Sequence, residues 1–302
     1  MVALVALLLT ADEPRTLKYI FKPGDQVKYI TTQLRTNTYK KSGRKVEVSL
    51  KQESANLWKV QSVSPDGVAD VSQSITRLRI TQKGGPLGVQ VIDSAADDNS
   101  PAIQQLFDDV TKAEIRFKMR PNGEVTAVVV PEALKERLKP KKEGEAPLLT
   151  EEGLARMVKS SIFILPSKPL KIGDGWNLDP YRYTESGHLI VMNARFTYEG
   201  PESKDGKKLI RFNRSAEYEV TKPKDQPADA EVTVKRQAAE GYVLLDAETC
   251  RLVESNMGES LLTESGAGAQ KLESETVINT TIRLKEPAQK EPTKEKAESP
   301  TP

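Results

Sequence analysis

The chain carries one histidine, His188, and one cysteine, Cys250, among its 302 residues. Imidazole and thiolate are the usual bases, nucleophiles and soft-metal ligands of proteins. One of each excludes a two-histidine metal site, a thiolate zinc site, an intrachain disulfide and a Cys-x-x-Cys redox pair. His188 follows Glu185-Ser186-Gly187 at the head of an alternating segment. A general base there would need a nucleophile and an acidic orienter. Neighbouring residues on a strand point to opposite faces, so His188 reads as a turn or edge residue. Cys250 lies beside a turn, with only His188 to supply an imidazole, and reads as an incidental thiol.

Carboxylates come in adjacent pairs, Asp97-Asp98, Asp108-Asp109 and Glu151-Glu152. A glycosidase pair must converge from separate elements across a controlled gap, which adjacent acids do not do. Glu151-Glu152 suits the first turn of a helix, where the macrodipole favours negative charge. Asp97, Asp98 and Asn99 lack EF-hand spacing and read as a solvated loop. The glycine-rich spots, Gly84-Gly85-Pro86-Leu87-Gly88 and Gly266-Ala267-Gly268, match neither phosphate-cradling pattern. No Gly-x-Ser-x-Gly elbow is present. No catalytic residue, metal ligand or cofactor is assigned on these grounds.

Lysine plus arginine number 45 against 43 acids, a net charge of +2, with the signs interspersed and aromatics at 5%. This argues against a nucleic-acid surface, which needs a clustered basic face with stacking aromatics. Val2 to Leu9 is apolar but too short to span a bilayer. It has the length of the apolar core of a secretory signal, with Leu9-Thr10-Ala11 as a cleavage site, and lacks the positive leading region. Residues 1–11 are therefore expected to be a truncated signal-like segment, the alternative being a buried strand. The corresponding location is the periplasm or cell envelope.

The elements that would position any site are mostly strands. Ile190, Met192, Ala194, Phe196 and Tyr198 alternate with polar residues, as do Ile115, Phe117 and Met119. Leu272, Thr276, Ile278, Ile282 and Leu284 share a face opposite Glu273, Glu275 and Asn279. Such patterning predicts antiparallel sheet with one wet side. Asp66-Gly67, Asn122-Gly123 and Asp205-Gly206 predict hairpins whose two central residues take positive φ. Ser100-Pro101 predicts a helix start, followed by Ile103, Leu106, Phe107 and Val110 on one stripe. A second stripe, Leu154, Met157, Val158, Ser161, Ile162 and Leu165, ends at Pro166. A shorter helix is expected over 131–138.

Lys22-Pro23-Gly24-Asp25 and Lys171-Ile172-Gly173-Asp174 repeat a motif at the head of two similarly ordered sets of strands. The expected class is α+β, mainly antiparallel β: large curved sheet or two similar half-sheets, with mid-chain amphipathic helices on one face. One β-rich domain is expected over 12–285, with halves at about 17–130 and 167–285 and a helical insert at about 131–165. Residues 286–302 hold no apolar residue larger than alanine besides proline, and are expected to be a disordered tail.

Several segments together resemble a known set. They are Tyr19 to Asp25, Val63 to Val71, Thr76 to Ile80, Ile92-Asp93-Ser94, Met119 to Val125, Leu165-Pro166 and Lys168 to Trp176. Their order is similar to that of an uncharacterised family of exported β-rich bacterial proteins frequent in planctomycete-type bacteria. The resemblance implies export and a β-rich fold, and no catalytic residue.

Three functions remain in view. The first is a non-catalytic binding or scaffold module with an envelope protein as partner. The second is a periplasmic carrier holding a lipophilic small molecule in a half-barrel groove lined by Phe107, Ile115, Phe117, Leu154, Met157, Met192 and Phe196. The third is a hydrolase using carboxylates alone, which requires two of them converging with raised pKa values. No nucleic acid partner and no membrane span in the mature chain are expected.

Overall fold

The period-two alternation becomes a single antiparallel sheet in the computed structural model of the chain, which describes residues 13–85, 88–111, 113–137, 151–178, 181–185, 188–221, 232–266 and 271–285. The segment 1–11 and the tail 286–302 lie outside the described residues. The strands are β1 (Gln26–Lys41), β2 (Arg44–Val63), β3 (Ala69–Gly84), β4 (Gln90–Asp93), β5 (Glu114–Met119), β6 (Val125–Val129), β7 (Gly175–Asn177), β8 (Tyr181–Glu185), β9 (His188–Lys204), β10 (Lys207–Thr221), β11 (Val232–Asp246), β12 (Leu252–Ser265) and β13 (Leu272–Lys285). Three helices, α1 (Pro101–Thr111), α2 (Glu132–Arg137) and α3 (Glu151–Ser160), interrupt them. The 13-stranded sheet runs β6-β5-β3-β2-β1-β13-β12-β11-β10-β9-β7, with β4 on β3 and β8 on β9. The last strand thus lies in mid-sheet, between β1 and β12.

The hairpins divide into two kinds. At Asp205-Gly206 both central residues have positive φ, 51° and 75°, as they do at Ser42-Gly43, 50° and 77°. These are two-residue loops whose twist matches that of the strands. At Asp66-Gly67 and Asn122-Gly123 only the glycine is left-handed, at 83° and 89°, which corrects the expectation for these two. Gly67 N donates to Ser64 O and Gly123 N to Arg120 O, each at 2.8 Å. Pro65 and Pro121 fill the second position of these turns, where proline favours type I geometry. A three-residue loop of this kind needs only its last residue left-handed. Gly123 is also required sterically, since a Cβ there would lie 2.6 Å from Phe163 O and 2.9 Å from the Tyr19 ring.

The two Lys-x-Gly-Asp segments fold alike. Lys22 N donates to Asp25 Oδ2 at 2.7 Å and Lys171 N to Asp174 Oδ2 at 2.9 Å. Gly24 N and Gly173 N then donate to Val60 O and Tyr198 O, at 2.9 and 2.8 Å.

One face of the sheet, called the inner face here, carries the core. It holds Val27 and Tyr29 of β1, Trp58 of β2, Phe117 of β5, Phe196 of β9 and Phe212 of β10, all in one buried cluster. β5 and β9 are eight strand steps apart in the sheet order, which in a flat sheet is about 38 Å. Phe163 bridges that span. Its ring lies 4.8 Å from Phe196 and 5.1 Å from Phe212. Its carbonyl accepts from Tyr19 Oη at 2.8 Å, and next to it Leu165 N donates to Asn122 O of the β5–β6 turn at 2.8 Å. The sheet is therefore curled around the inner face, and its two wings are tied together at one end. Burial of these aromatics stabilises the base by roughly 25 cal/mol per Å² of apolar surface removed from water.

Candidate functional site

The packed base occupies only part of the strands. On β1 the buried inner residues end at Tyr29, and the strand continues to Lys41, roughly 40 Å farther at about 3.3 Å per residue. Beyond the base, β12 and β13 hold mainly half-buried residues on both faces. Among the described elements, the main packing partners of the helices are β3, for α1, and β6, for α3.

Strand register assigns each side chain of this upper region to a face. Arg35 pairs with Leu50 on β2 and Ile278 on β13, and Asn37 with Val48 and Thr276. Gln52 pairs with Ile80 on β3, and Ile80 with Ile92 on β4. Ile278 pairs with Glu259, and Thr276 with Leu261, on β12. The inner face between base and hairpin tip thus carries Val46, Val48, Leu50, Leu78, Ile80, Ile92, Ile278 and Leu261, interspersed with Gln33, Asn37, Gln52 and Thr276. Val46 is 50% exposed and Tyr39 40%.

The outer face of the same strands carries Lys45, Glu47, Lys51, Glu53, Arg77, Arg79, Lys83, Glu264, Glu273 and Glu275. These form surface ion pairs such as Lys40–Glu273 and Arg236–Glu275, both at 2.6 Å. An open hollow of about 400 Å³ on that face is bordered by Leu34, Ser49 and Thr81 as well as Lys51, Glu53, Arg79 and Lys83. The outer face is therefore richly charged around a few apolar residues such as Leu34 and Val277, and the inner one is largely apolar and neutral-polar, with Arg35, Lys41, Arg44, Arg214 and Glu259 among its charges.

Those few charges are placed specifically. Arg35 lies in mid-strand; its Nε donates to Asn37 Oδ1 at 3.2 Å, and Thr276 Oγ1 donates to the same oxygen at 3.0 Å. Gln33 Nε2 donates to Thr280 Oγ1 at 3.2 Å. Arg214 of β10 has a 5% exposed side chain and is paired with Glu259 at 3.2 Å. Its guanidinium also touches the sulfurs of Met257 and Met192, the latter at 3.2 Å. Closer to the base, Gln73 Oε1 and Trp176 Nε1 are buried without a hydrogen-bond partner, an arrangement that folded proteins rarely leave unsatisfied by protein, water or ligand.

Ionisation gives no sign of acid–base machinery among the described residues. The carboxylates that clearly shift, Asp66, Asp93, Asp246, Glu254 and Glu264, all move down. A hydrogen bond from Arg77 holds the Asp93 carboxyl low. For Glu254, donation from Tyr242 and Lys204 outweighs burial, which acts the other way. Lowered carboxylates are the opposite of what a general acid requires. Burial pushes the Cys250 thiol up, away from the reactive thiolate. Asn99 Nδ2 donates to Asp93 O at 2.8 Å and Ala96 O at 3.0 Å, so this amide braces its own loop. The backbone of His188 pairs with Glu185 across β8 and β9, and its side chain lies outside the description.

Of the sequence-derived groove residues, Ile115, Phe117, Met192 and Phe196 share the inner face and one packed cluster, and Phe107 and Leu154 lie apart from it. Phe117 and Phe196 are 1% and 4% exposed within the base, with Ile115 and Met192 packed against it. Leu154 belongs to a small cluster with Val130 and Leu134, which Ile115 also touches. Phe107 is 3% exposed on α1. The side chain of Met157 lies outside the description. The open inner surface, Val46, Val48, Leu50, Leu78, Ile80 and Arg35, lies outside that set. Its signal was present: Val46, Val48 and Leu50 alternate with Lys45, Glu47, Ser49 and Lys51, and Leu78 and Ile80 with Arg77 and Arg79.

Comparison with known proteins gives a family and distant folds. No curated protein matches the chain. Among solved structures it is similar to lipovitellin, described for its lipid–protein interactions, with a TM-score of 0.47 and 12% identity over 90% of this chain and 27% of that one. The chain thus spans about a quarter of lipovitellin. An outer membrane channel from Pseudomonas putida F1 matches with a TM-score of 0.23 and 6% identity over 88% of this chain and 97% of that one. A DUF1329 family protein from Desulfovibrio piger matches with a TM-score of 0.13 and 12% identity over 85% of each chain. The model of DUF6263, a family of unknown function, matches residues 66–235, more than half of the sequence and spanning both wings of the sheet, and the chain belongs to that family.

Proposed function

We propose that this protein is a non-catalytic binding module that holds a lipophilic molecule on the inner face of its curled sheet, above the packed base. The observation that carries this reading is the contrast between the two faces of the same strands. Register puts most of the lysine, arginine and glutamate on the outer face, and Val46, Val48, Leu50, Leu78 and Ile80 with neutral amides on the inner one, where Arg35, Lys41 and Arg44 are the charges of β1 and β2 beyond the base. A one-residue slip would exchange the two sets, so the register is under strong selection by burial. Soluble monomers seldom expose a large contiguous apolar patch that has no occupant.

Organic extraction of the purified protein followed by mass spectrometry tests this. A lipophilic species is expected at near-stoichiometric yield, and it is expected to be lost in Leu50→Glu and Ile80→Glu. Both variants are expected to keep the base folded, because their side chains lie outside the buried cluster. Absence of any extracted species, together with no binding of a fluorescent fatty-chain probe by the wild-type protein, sinks the reading.

A further inference from the structure

We infer that the tip of the β1–β2 hairpin docks on a membrane surface bearing anionic lipids. This goes beyond the ligand reading of the inner face and is tested apart from it. The tip projects from the sheet. β3 leaves the ladder at Gly84, opposite Val48, and turns through Gly84 and Gly85 at φ 86° and 71°. Residues 44–47 of β2 therefore extend past β3 by about 13 Å, at roughly 3.3 Å per residue. On the other side, the ladder between β1 and β13 ends at the pair Lys41 and Leu272. The packed base lies at the opposite end of β1.

The two-residue turn at Ser42-Gly43 sets cations directly opposite one another. Lys41 faces Arg44 on the inner side of the sheet, and Lys40 faces Lys45 on the outer side. Like charges at such positions oppose strand pairing. On the outer side Glu273, 2.6 Å from Lys40, and Glu47, 2.9 Å from Lys45, relieve the repulsion. On the inner side, among the described residues, no carboxylate pairs with Lys41 or Arg44. Beside these two, Tyr39 faces Val46, and they are 40% and 50% exposed. An exposed ring and an exposed valine next to uncompensated cations are poorly suited to water. They match the boundary of a bilayer, where tyrosine rings sit at headgroup depth and long cationic side chains reach the phosphates. Each cation near an anionic bilayer favours binding by about fivefold. The apolar pair distinguishes this surface from one that attracts a free polyanion by charge alone.

The test is co-sedimentation of the full chain with vesicles of phosphatidylcholine, alone or with about one third phosphatidylglycerol. Wild type is expected to bind the anionic vesicles at least about tenfold more tightly than the neutral ones, and to lose that preference at about 1 M salt. The double variant Lys41→Glu, Arg44→Glu is expected to lose the preference. Tyr39→Ser with Val46→Ser is expected to keep the preference and to bind both kinds of vesicle about tenfold more weakly. Lys22→Glu with Lys171→Glu makes the same change in net charge at the base, and is expected to bind as wild type does. All of these variants are expected to keep a cooperative thermal transition, because the altered side chains lie outside the buried cluster. Absent or equal binding of the two vesicles by wild type, unchanged binding in either tip variant, or an equal loss in the base variant overturns the inference. A protein that yields no extractable lipophile and still prefers the anionic vesicles loses the ligand reading and keeps the docking tip.

Discussion

Arg214 shows how one residue records the demands of the sheet. It sits in the alternating row Ile210, Phe212, Arg214, Ala216, Tyr218, so the period that buries its neighbours buries a guanidinium too. Its carboxylate partner is Glu259, 45 residues later. A buried charge is tolerable with its partner and costly without it. Glu259→Gln is therefore expected to lose about 3–5 kcal/mol in urea unfolding. The double variant Arg214→Met, Glu259→Leu, which removes both charges, is expected within about 1 kcal/mol of wild type. A loss below about 1 kcal/mol for Glu259→Gln would mean that water reaches the guanidinium. The sequence makes Arg214 visible as a break in an apolar row. It does not reveal Glu259, because alternation assigns faces and is silent about which strands are neighbours.

At the level of elements, each long strand has two environments. The base ends pack aromatic residues together, and the far ends present half-buried side chains on both faces. Hydrogen exchange is expected to follow this division, since local opening needs less free energy where fewer apolar contacts are lost. Amides of Val27 to Tyr29, Ile210 to Phe212 and Val243 to Leu245 are expected to exchange at least tenfold more slowly than those of Val46 to Leu50 and Leu272 to Thr276. Uniform protection along β1 and β2 would contradict the division. The faces of these strands were legible from sequence wherever large apolar residues alternate with charges, as in Ile190 to Tyr198 and Leu272 to Leu284. The hairpins were legible from their dipeptides, although the prolines before Asp66 and Asn122 choose a three-residue loop. What could not be read was the split into packed base and open surface, because one pattern of alternation serves both. It follows that Phe117 and Phe196, the most apolar choices for a groove, lie in the base.

For the molecule as a whole, the decisive contact joins the two ends of the described chain. Lys28 pairs with Lys285 and Lys41 with Leu272, along the full length of β1 and β13. Ile282 and Leu284 of β13 also pack against the core. Such distant pairing delays folding, because loop closure precedes any reward in contacts. A chain stopped after Gly266 lacks this strand. It is expected to replace the cooperative urea transition of the full chain with a broad one of low midpoint. A sharp transition at the full-length midpoint would show the base to be self-sufficient.

The central seat of β13 also bears on how the protein is made. Of the described strands it is the last to leave the ribosome, yet it fills a slot between two strands synthesised earlier. Until it arrives, β1 and β12 each present a bare edge of unpaired amides and carbonyls, the form of backbone most prone to recruit strands from other chains. Two nascent copies that trade this strand would satisfy the same hydrogen bonds as two monomers, so reciprocal exchange of β13 is the misassembly this topology invites. Crowded translation would favour it, and a chaperone that shields one slot would suppress it.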